Sequence, residues 1–143
     1  MSEPRQVDIR CHVDDRGFLY QVFQEGQEFF STVRRIYVVG NFGKGTIRGF
    51  HKHLKESKCY FVINGAAKFV VVSENGRIMS FVLSSRNPSL LVIPPGYEHG
   101  WVSLDENTTL IGLSDKTLEE SLRDDYRSDP MKYGKDVWEV KPR

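Results

Sequence analysis

Short apolar segments with a period of two constrain the fold of this chain more than any other feature. Successive side chains of a strand alternate between two faces, and β-branched and aromatic residues favour strands. The segments lie at 33–40, 58–65, 66–73, 77–84, 89–96 and 108–114, and Gly, Asn and Pro punctuate them. Strands of this length at regular spacing are typical of an antiparallel sandwich or barrel.

Two local signals complete the predicted architecture. Asn64-Gly65 lies between two apolar runs, a pattern that favours a tight hairpin. Residues 115–127 are rich in helix formers and predict a helix, which the sequence DPMKYG at 129–134 then ends. We find no repeat, linker or low-complexity tract. The sequence therefore predicts one all-β domain, residues 1–143, with a short helical segment near the C-terminus.

Charge and cysteine content narrow the class of partner. Twenty Lys and Arg against nineteen Asp and Glu leave a net charge of +1, so neither nucleic acid nor an acidic membrane surface is expected as a partner. The apolar runs are far shorter than the ~20 residues that span a bilayer. The charged first ten residues do not resemble a signal peptide. Cys11 and Cys59 are expected to be reduced thiols, which fits a cytoplasmic location.

Two histidines stand two residues apart in RGFHKHLKESK, residues 48–58. In a regular strand the side chains i and i+2 share a face, so His51 and His53 are predicted to point the same way. Arg48 and Lys52 are then predicted to point to the other face. A face that carries two imidazoles favours either a metal site or acid/base chemistry.

A second motif lies downstream, where PPGYEHGW gives the pattern P-x-G-x-x-H that ends at His99. Together with Gly45 and the H-x-H pair, it resembles the two-part motif of the cupins. This resemblance implies a double-stranded β-helix, or jelly-roll barrel. Many cupins hold a metal with these histidines and a glutamate, but here Ser57 and Lys58 stand where the glutamate is usual, and Glu56 comes one residue early. Because an ammonium would repel a metal cation, no metal is predicted.

A barrel with imidazole and ammonium groups suits the removal of a proton next to a ketone. A neutral histidine acts as a base near pH 7, and a fixed cation stabilises the enolate oxygen that forms. We predict that Lys58 faces the lumen and supplies this charge by itself. Return of the proton to the opposite face inverts the carbon, whereas return to another position isomerises the ketone.

Most of the chain resembles the dTDP-4-dehydrorhamnose 3,5-epimerase-like cupins, which act on nucleotide-linked 4-keto-6-deoxy sugars. DDRGFLYQVF is similar to the family's D-x-R-G-x-x-x-E, IRGFHKH to R-G-L-H-x-Q, KCYFVING to K-x-V-x-V-x-x-G, and IPPGYEHGW to P-x-G-x-x-H-G-F. SDPMKYGKDVW resembles the closing D-P-x-x-x-x-x-W more loosely. The resemblance implies a homodimeric epimerase of deoxysugar or polysaccharide biosynthesis that needs no cofactor and takes a nucleotide-diphosphate sugar.

The motifs also imply roles for individual residues. His51 would be the base, Lys58 the cation near the carbonyl oxygen, and His53 a further catalytic imidazole. Arg16 and Phe18 would hold the nucleotide across the dimer interface, because family members exchange N-terminal strands. The full set of expected substrate-binding residues is Arg48, His99, Arg16, Phe18, Tyr37 and Trp101.

Two departures from the family pattern concern the reaction itself. The family's general acid is a tyrosine shortly after the last barrel strands, but Thr117 and Leu118 stand near that place and Tyr126 comes late. This absence favours epimerisation at C3 over epimerisation at both C3 and C5. The aspartate that orients the histidine has two candidates, Asp115 and Asp129.

A third departure keeps alternative functions open. His53 replaces the usual glutamine and, with RRIYVVG upstream, resembles the R-x-Y-Y and R-G-F-H-A-H of the sugar 3,4-ketoisomerases. Two facing histidines could move a proton from C3 to the oxygen at C4. A non-catalytic sugar-binding cupin is an alternative of another class, and a metal-dependent cupin is the third.

Overall fold

Two five-stranded antiparallel sheets form the body of the computed structural model, which describes residues 2–27 and 29–143. The first sheet has the order β1-β9-β6-β11-β4, the second has the order β12-β5-β10-β7-β8, and β2 and β3 form a separate hairpin. The strands are β1 Arg5–Asp8, β2 Cys11–Asp14, β3 Gly17–Tyr20, β4 Arg35–Asn41, β5 Ile47–Lys52, β6 Lys58–Asn64, β7 Ala66–Val72, β8 Ile78–Ser84, β9 Ser89–Ile93, β10 Glu98–Ser103, β11 Thr108–Ser114 and β12 Tyr126–Arg127.

Helical structure is confined to short pieces in the part of the chain that the structure describes. They are α1 Leu118–Leu122 and two 3-10 turns, Phe30–Thr32 and Lys135–Trp138. None of these helices has the length and apolar character that crossing a membrane requires. The prediction of an all-β jelly roll with a short helical segment is confirmed.

Three apolar cores explain why so many strands are buried on both faces. One lies between the sheets and includes Phe69, Leu91 and Trp101. A second covers the outer face of the first sheet, beneath side chains that include Tyr20, Phe23 and Phe29. The third covers the outer face of the second sheet beneath Trp138. Strand β6 is therefore buried continuously from Lys58 to Val62, as expected for a strand with both faces covered.

The Asn64-Gly65 turn does not close a hairpin, so that prediction is wrong. Strand β6 belongs to the first sheet and β7 to the second, so this turn carries the chain from one sheet to the other. Gly65 has a φ of 83°, which only glycine adopts without strain. The apolar runs on both sides are the same in a hairpin and in a crossover, so the local pattern could not separate them.

The helix predicted for 115–127 is much shorter in the structure. It begins after Thr117, whose side chain and Glu120 form a capping box, and it ends at Leu122. The chain then extends, and Tyr126 and Arg127 pair with Lys52 and His51 of β5. Strand pairing with β5 therefore overrides the helix propensity of these residues.

Strand β5 contains one extra residue opposite β10, and this bulge corrects the predicted facing of Arg48. His51 pairs with His99 and Arg48 pairs with Trp101, so three steps on β5 match two steps on β10. A bulge of this kind re-aims the side chains that precede it. Arg48 therefore lines the same cavity as His51, whereas a regular strand would turn it to the other face.

Candidate active site

Side chains from both sheets line a cavity of about 470 Å³ between them. The first sheet contributes Arg35, Tyr37 and Lys58, and α1 contributes Leu118 and Leu122 at the rim. Of the residues predicted from the sequence, the structure brings together His51, His53, Lys58, Arg48, His99, Tyr37 and Trp101 in this lining.

His51 is oriented by Asp125, a residue that the sequence analysis missed. The Nδ1 of His51 lies 3.2 Å from Oδ1 of Asp125, and Oδ2 of Asp125 accepts a hydrogen bond from Arg127 at 2.9 Å. Burial lowers the pKa of His51, although Asp125 opposes this shift. The ring is therefore neutral at pH 7, with its Nδ1 proton held by the carboxylate and Nε2 available as a base.

Neither aspartate named from the sequence takes this role. Asp115 accepts the backbone N–H of Ser57, and Asp129 accepts that of Met131. Asp129 is engaged in a local turn and Asp115 in a long-range contact, and neither contacts His51. The prediction of Asp115 or Asp129 as the orienting residue is wrong.

The preceding residue, Asp124, explains how Asp125 reaches the cavity. The buried carboxylate of Asp124 accepts the backbone N–H groups of Leu54, Lys55 and Glu56 at 2.8, 2.9 and 3.1 Å. Its carbonyl oxygen lies 2.6 Å from Nδ1 of His53. These bonds fix residue 124 beside the end of β5 and place Asp125 on His51. The Asp124-Asp125 pair is the sequence signal that could have indicated this arrangement.

Oxygen acceptors engage the Nδ1 atoms of His53 and His99, and Oε2 of Glu56 also lies 3.3 Å from Nδ1 of His53. His53 donates to the carbonyl of Asp124, and His99 donates to the carbonyl of Tyr97 at 3.3 Å. Nε2 of His99 then accepts from the hydroxyl of Tyr60 at 3.2 Å. Burial lowers the pKa of His99 to about 3, so this ring is uncharged throughout the neutral range.

Lys58 faces the cavity, but it is paired with a carboxylate. Its Nζ lies 2.9 Å from Oε1 of Glu56 and 3.3 Å from the hydroxyl of Tyr37. Nη2 of Arg35 contacts the same Oε1 at 3.2 Å. Glu56 alone would cancel the charge of Lys58, and Arg35 restores a net positive charge. The expectation that one amine supplies the charge by itself is therefore corrected, and Arg35 is an addition that the sequence analysis missed.

Glu56 is the anchor of this ion cluster. Its side chain is fully buried, and it also accepts the hydroxyls of Ser114 and Ser121 at 2.5 and 2.7 Å. Burial alone would raise the pKa of Glu56, but the hydrogen bonds from Ser114 and Lys58 outweigh burial and lower it. The carboxylate is therefore ionised and fully engaged with its partners.

The residues present do not fit the metal site typical of cupins. Glu56 is committed to two cations, and the Nδ1 atoms of the three cavity histidines are held by oxygen acceptors. Within residues 2–27 and 29–143, no group of three or more His, Cys, Asp or Glu side chains could hold a metal ion. Metal independence stays a prediction.

Basic side chains also mark the mouth of the cavity. Arg48 donates from Nε to Oδ1 of Asn41 at 2.7 Å and from Nη2 to the carbonyl of Gly40 at 3.1 Å. Arg127 is largely exposed beside Asp125. Guanidinium groups in this position suit phosphate oxygens.

Arg16 and Phe18 lie outside this cavity. They belong to the β2–β3 hairpin, where Arg16 forms an exposed ion pair with Asp14 at 2.5 Å and Phe18 is 72% exposed. Neither contributes to the cavity lining of the same chain.

Among the described residues that line the cavity, Tyr37 and Tyr60 are the tyrosines, and neither comes from the segment after the last barrel strands. Leu118 and Leu122 of α1 lie in that segment at the rim, and both are largely exposed. Tyr126 lies on β12 and does not line the cavity. The segment in which the sequence analysis expected a tyrosine therefore presents leucine side chains to the cavity.

The jelly-roll fold and an oriented histidine that shares a lumen with two cations define a cupin of the isomerase class. Comparison with known proteins names the family. The chain belongs to the dTDP-4-dehydrorhamnose 3,5-epimerase family, whose model matches residues 2–130. The predictions of this family, of its fold and of an isomerase are confirmed.

Individual relatives agree with this assignment. The chain is 27% identical over 106 residues to the spore coat polysaccharide biosynthesis protein SpsL of Bacillus subtilis, covering 70% of each protein. The dTDP-4-dehydrorhamnose 3,5-epimerase of Bacillus anthracis, solved with TDP and PPi, has a TM-score of 0.82 at 24% identity, covering 97% of this chain and 86% of that one.

A ketoisomerase shares the same fold. QdtA, a sugar 3,4-ketoisomerase from Thermoanaerobacterium thermosaccharolyticum solved with TDP, has a TM-score of 0.73 at 20% identity, and 88% of each chain is covered. Because one fold carries both reactions, the choice between them depends on the residues in the cavity.

Proposed function

We propose that this protein epimerises a nucleotide-linked 4-keto-6-deoxy sugar at C3. The observation that carries the proposal is the histidine base held by Asp125 in the same cavity as Lys58 and Arg35. Removal of a proton next to a ketone needs these two elements, a neutral base and a fixed positive charge.

The chemistry follows from the positions of these groups. Nε2 of His51 takes the proton from C3, and the electron pair of the C–H bond moves onto the C4 oxygen. The ion cluster of Lys58, Arg35 and Glu56, with its net positive charge, stabilises the enolate oxygen. Delivery of a proton to the opposite face of C3 then restores the ketone with the inverted configuration.

The nucleotide diphosphate is proposed to bind at the mouth of the cavity. Arg48 and Arg127 are the cationic side chains there, and arginine binds phosphate oxygens through two parallel hydrogen bonds. Both the B. anthracis epimerase and QdtA were solved with TDP, which supports a nucleotide sugar as substrate. The likeness to SpsL supports a role in polysaccharide biosynthesis. We place the enzyme in the cytoplasm as part of this proposal.

A homodimer is part of the proposal because it would bring Arg16 and Phe18 of one copy to the cavity of the other. Strand β4 is an edge strand of the first sheet, and Ile36 and Val38 on its outer face are 65% and 66% exposed. The β2–β3 hairpin also presents exposed apolar side chains, including Phe18. Exposed apolar side chains on an edge strand are suited to pairing with a second copy.

A 3,4-ketoisomerase is the second candidate because His53 shares the cavity with His51. Two imidazoles on one wall could deliver the C3 proton to the oxygen at C4. The presence of Lys58 and Arg35 favours the epimerase, because a cation cluster stabilises an oxygen that keeps its negative charge until C3 is protonated again.

Proton NMR of a dTDP-4-keto-6-deoxyhexose incubated with the protein in D2O tests the proposal. We expect deuterium at C3, an inverted C3 centre and an unchanged C5 proton. Movement of the ketone to C3 would favour the ketoisomerase. Tight binding of the sugar without exchange at C3 or C5 would contradict any epimerase and favour a sugar-binding cupin.

A further inference from the structure

Inversion at C3 requires a proton donor on the face opposite His51. His51 belongs to β5 of the second sheet, so a donor on the first sheet would approach the sugar from the facing wall. Near the place where the sequence analysis expected a tyrosine stand Thr117, whose side chain caps α1, and Leu118, which has no proton to give. The donor must therefore come from elsewhere in the cavity lining.

Two of the imidazoles can be set aside as donors. The Nδ1 of His53 lies 2.6 Å from the carbonyl oxygen of Asp124 and 3.3 Å from Oε2 of Glu56. His99 is a neutral ring whose Nδ1 proton is held by the carbonyl oxygen of Tyr97. Nε2 of His99 is an acceptor for Tyr60. A neutral imidazole carries one N–H, so His99 has no free proton for the substrate. His53 directly follows β5, the strand of His51, and so lies on the same wall as the base and not on the facing one.

Two further groups are committed to other partners. Tyr60 is 7% exposed, and its hydroxyl donates to His99. The ammonium of Lys58 is held by Glu56, and its side chain is 7% exposed. A hydroxyl with better access to the cavity is provided by Tyr37, which is half-buried and lines the cavity from β4.

The surroundings of Tyr37 suit a group that gives up a proton. Its hydroxyl accepts a hydrogen bond from Nζ of Lys58 at 3.3 Å and donates to the hydroxyl of Tyr60 at 3.5 Å, which is longer than the 3.2 Å bond from Tyr60 to His99. The guanidinium carbon of Arg35 lies 5.3 Å from the ring centre, and Nζ of Lys58 lies 5.0 Å from it. Two cations beside the phenol stabilise the phenolate that remains after proton transfer.

Gly112 on the neighbouring strand leaves room for the phenol ring of Tyr37. Gly112 pairs with Tyr37 across the β4–β11 ladder. A Cβ at position 112 would lie 2.2 Å from Cζ and 2.6 Å from the hydroxyl oxygen of Tyr37. No side chain could stand there without moving the ring, so the glycine and the tyrosine form one positioned unit.

We infer that Tyr37 is the general acid that completes the inversion, an assignment that rests on the proposed C3 epimerase. His51 removes the C3 proton, the electron pair passes to the C4 oxygen, and the enolate then collapses as C3 takes the hydroxyl proton of Tyr37 on the other face. The enzyme is left with protonated His51 and the phenolate of Tyr37. Exchange of one proton with water at each group returns both to the starting state.

The test separates exchange at C3 from inversion of C3. In Tyr37→Phe incubated with the dTDP-4-keto-6-deoxyhexose in D2O, His51 still removes and returns the C3 proton on its own face. We expect C3 deuteration within about tenfold of wild type, while formation of the epimer falls about 100-fold or more, as for loss of a general acid. Gly112→Ala, which keeps the hydroxyl but displaces the ring, should show the same separation.

Tyr126→Phe is the matched control, because Tyr126 is exposed and lies outside the cavity. Epimer formed by Tyr37→Phe within threefold of the wild-type rate would overturn the assignment. An equal loss of exchange and inversion with weakened sugar binding would also overturn it, since Tyr37 would then act in binding. Wild-type protein that exchanges no C3 proton would refute the proposed function itself, and Tyr37 with it.

Discussion

The role of His51 depends on Asp125, a residue 74 positions further along the chain. The histidine itself could be predicted from the sequence, because the H-x-H spacing places it on a strand face. Its partner could not, because nothing local links residue 125 to β5. The same reason hid Arg35, which meets Glu56 and Lys58 only after β4 and β6 join the same sheet. Spacing identifies single functional side chains, whereas their charge partners require tertiary structure.

Asp125→Asn tests the contact by which Asp125 orients His51. The substitution keeps the size of the side chain but removes the anion that holds the Nδ1 proton, so we expect C3 exchange to fall about 100-fold. Because Asp125 raises the pKa of His51 against the effect of burial, its loss should also move the acid limb of the pH–rate profile to lower pH. Exchange rates measured in D2O buffers from acid to neutral pH give both quantities.

Asp129→Asn is the control for this variant, because Asp129 is exposed and only accepts the N–H of Met131. It should leave the profile unchanged. A profile for Asp125→Asn that keeps both the wild-type plateau and the wild-type acid limb would exclude the proposed orientation of His51.

At the scale of elements, the bulge in β5 decides which side chains enter the cavity. Gly49 and Gly100 meet where β5 and β10 lose register, and a Cβ on Gly49 would lie 2.8 Å from the Cα of Gly100. Trp138 covers this contact from outside. The strands could be predicted from their period, but the bulge, the crossover at Asn64-Gly65 and the short α1 could not, because partner strands set them.

Gly100→Ala tests the importance of this close approach. A Cβ at position 100 would lie 2.6 Å from the carbonyl oxygen of Arg48 and 3.0 Å from the ring of Trp138. We expect a loss of about 2–3 kcal/mol in the free energy of unfolding, as for an overpacked core, together with reduced C3 exchange. Urea denaturation measures the first effect.

Gly43→Ala provides the comparison, since its added Cβ would meet only Thr46, at an ordinary 3.6 Å. If Gly100→Ala were as stable and as active as Gly43→Ala, the contact between β5 and β10 would not be needed to hold the site.

His99 is a basic side chain that the fold of the whole molecule buries in an uncharged state. The pKa of His99 is lowered to about 3 by burial in the barrel, against ~6.5 in an unfolded chain. Below pH 6.5 the unfolded chain binds this proton and the folded chain does not, so stability falls as the pH falls from about 6.5 towards 3. Burial of this neutral imidazole therefore destabilises the folded protein at acid pH.

The slope of the free energy of unfolding against pH measures this destabilisation. Between pH 6.5 and 4, titration of His99 should lower the free energy of unfolding by up to ~1.4 kcal/mol per pH unit. His99→Gln should flatten this slope whatever its effect on stability at pH 7. His12→Gln, at an exposed position of β2, should not. Identical slopes for wild type and His99→Gln would show that the ring is not held neutral.

The proposed dimer is the other property of the whole molecule. Val38→Lys places a charge on the exposed apolar face of β4, so sedimentation velocity should show a monomer and the affinity for TDP should fall. Val140→Lys alters a similarly exposed apolar residue near the C-terminus and should remain dimeric. If Val38→Lys remained a dimer with unchanged affinity for TDP, the interface would lie elsewhere. A monomeric wild-type protein would rule out the proposed dimer.

The proposed function depends on removal of the C3 proton by His51, and the rate of deuterium incorporation at C3 in His51→Asn measures that step. We expect a fall of at least ~100-fold relative to wild type, with binding of TDP retained, and no fall in the exposed control His12→Asn. Deuterium entering C3 of the nucleotide sugar at the wild-type rate in His51→Asn would contradict this role of His51.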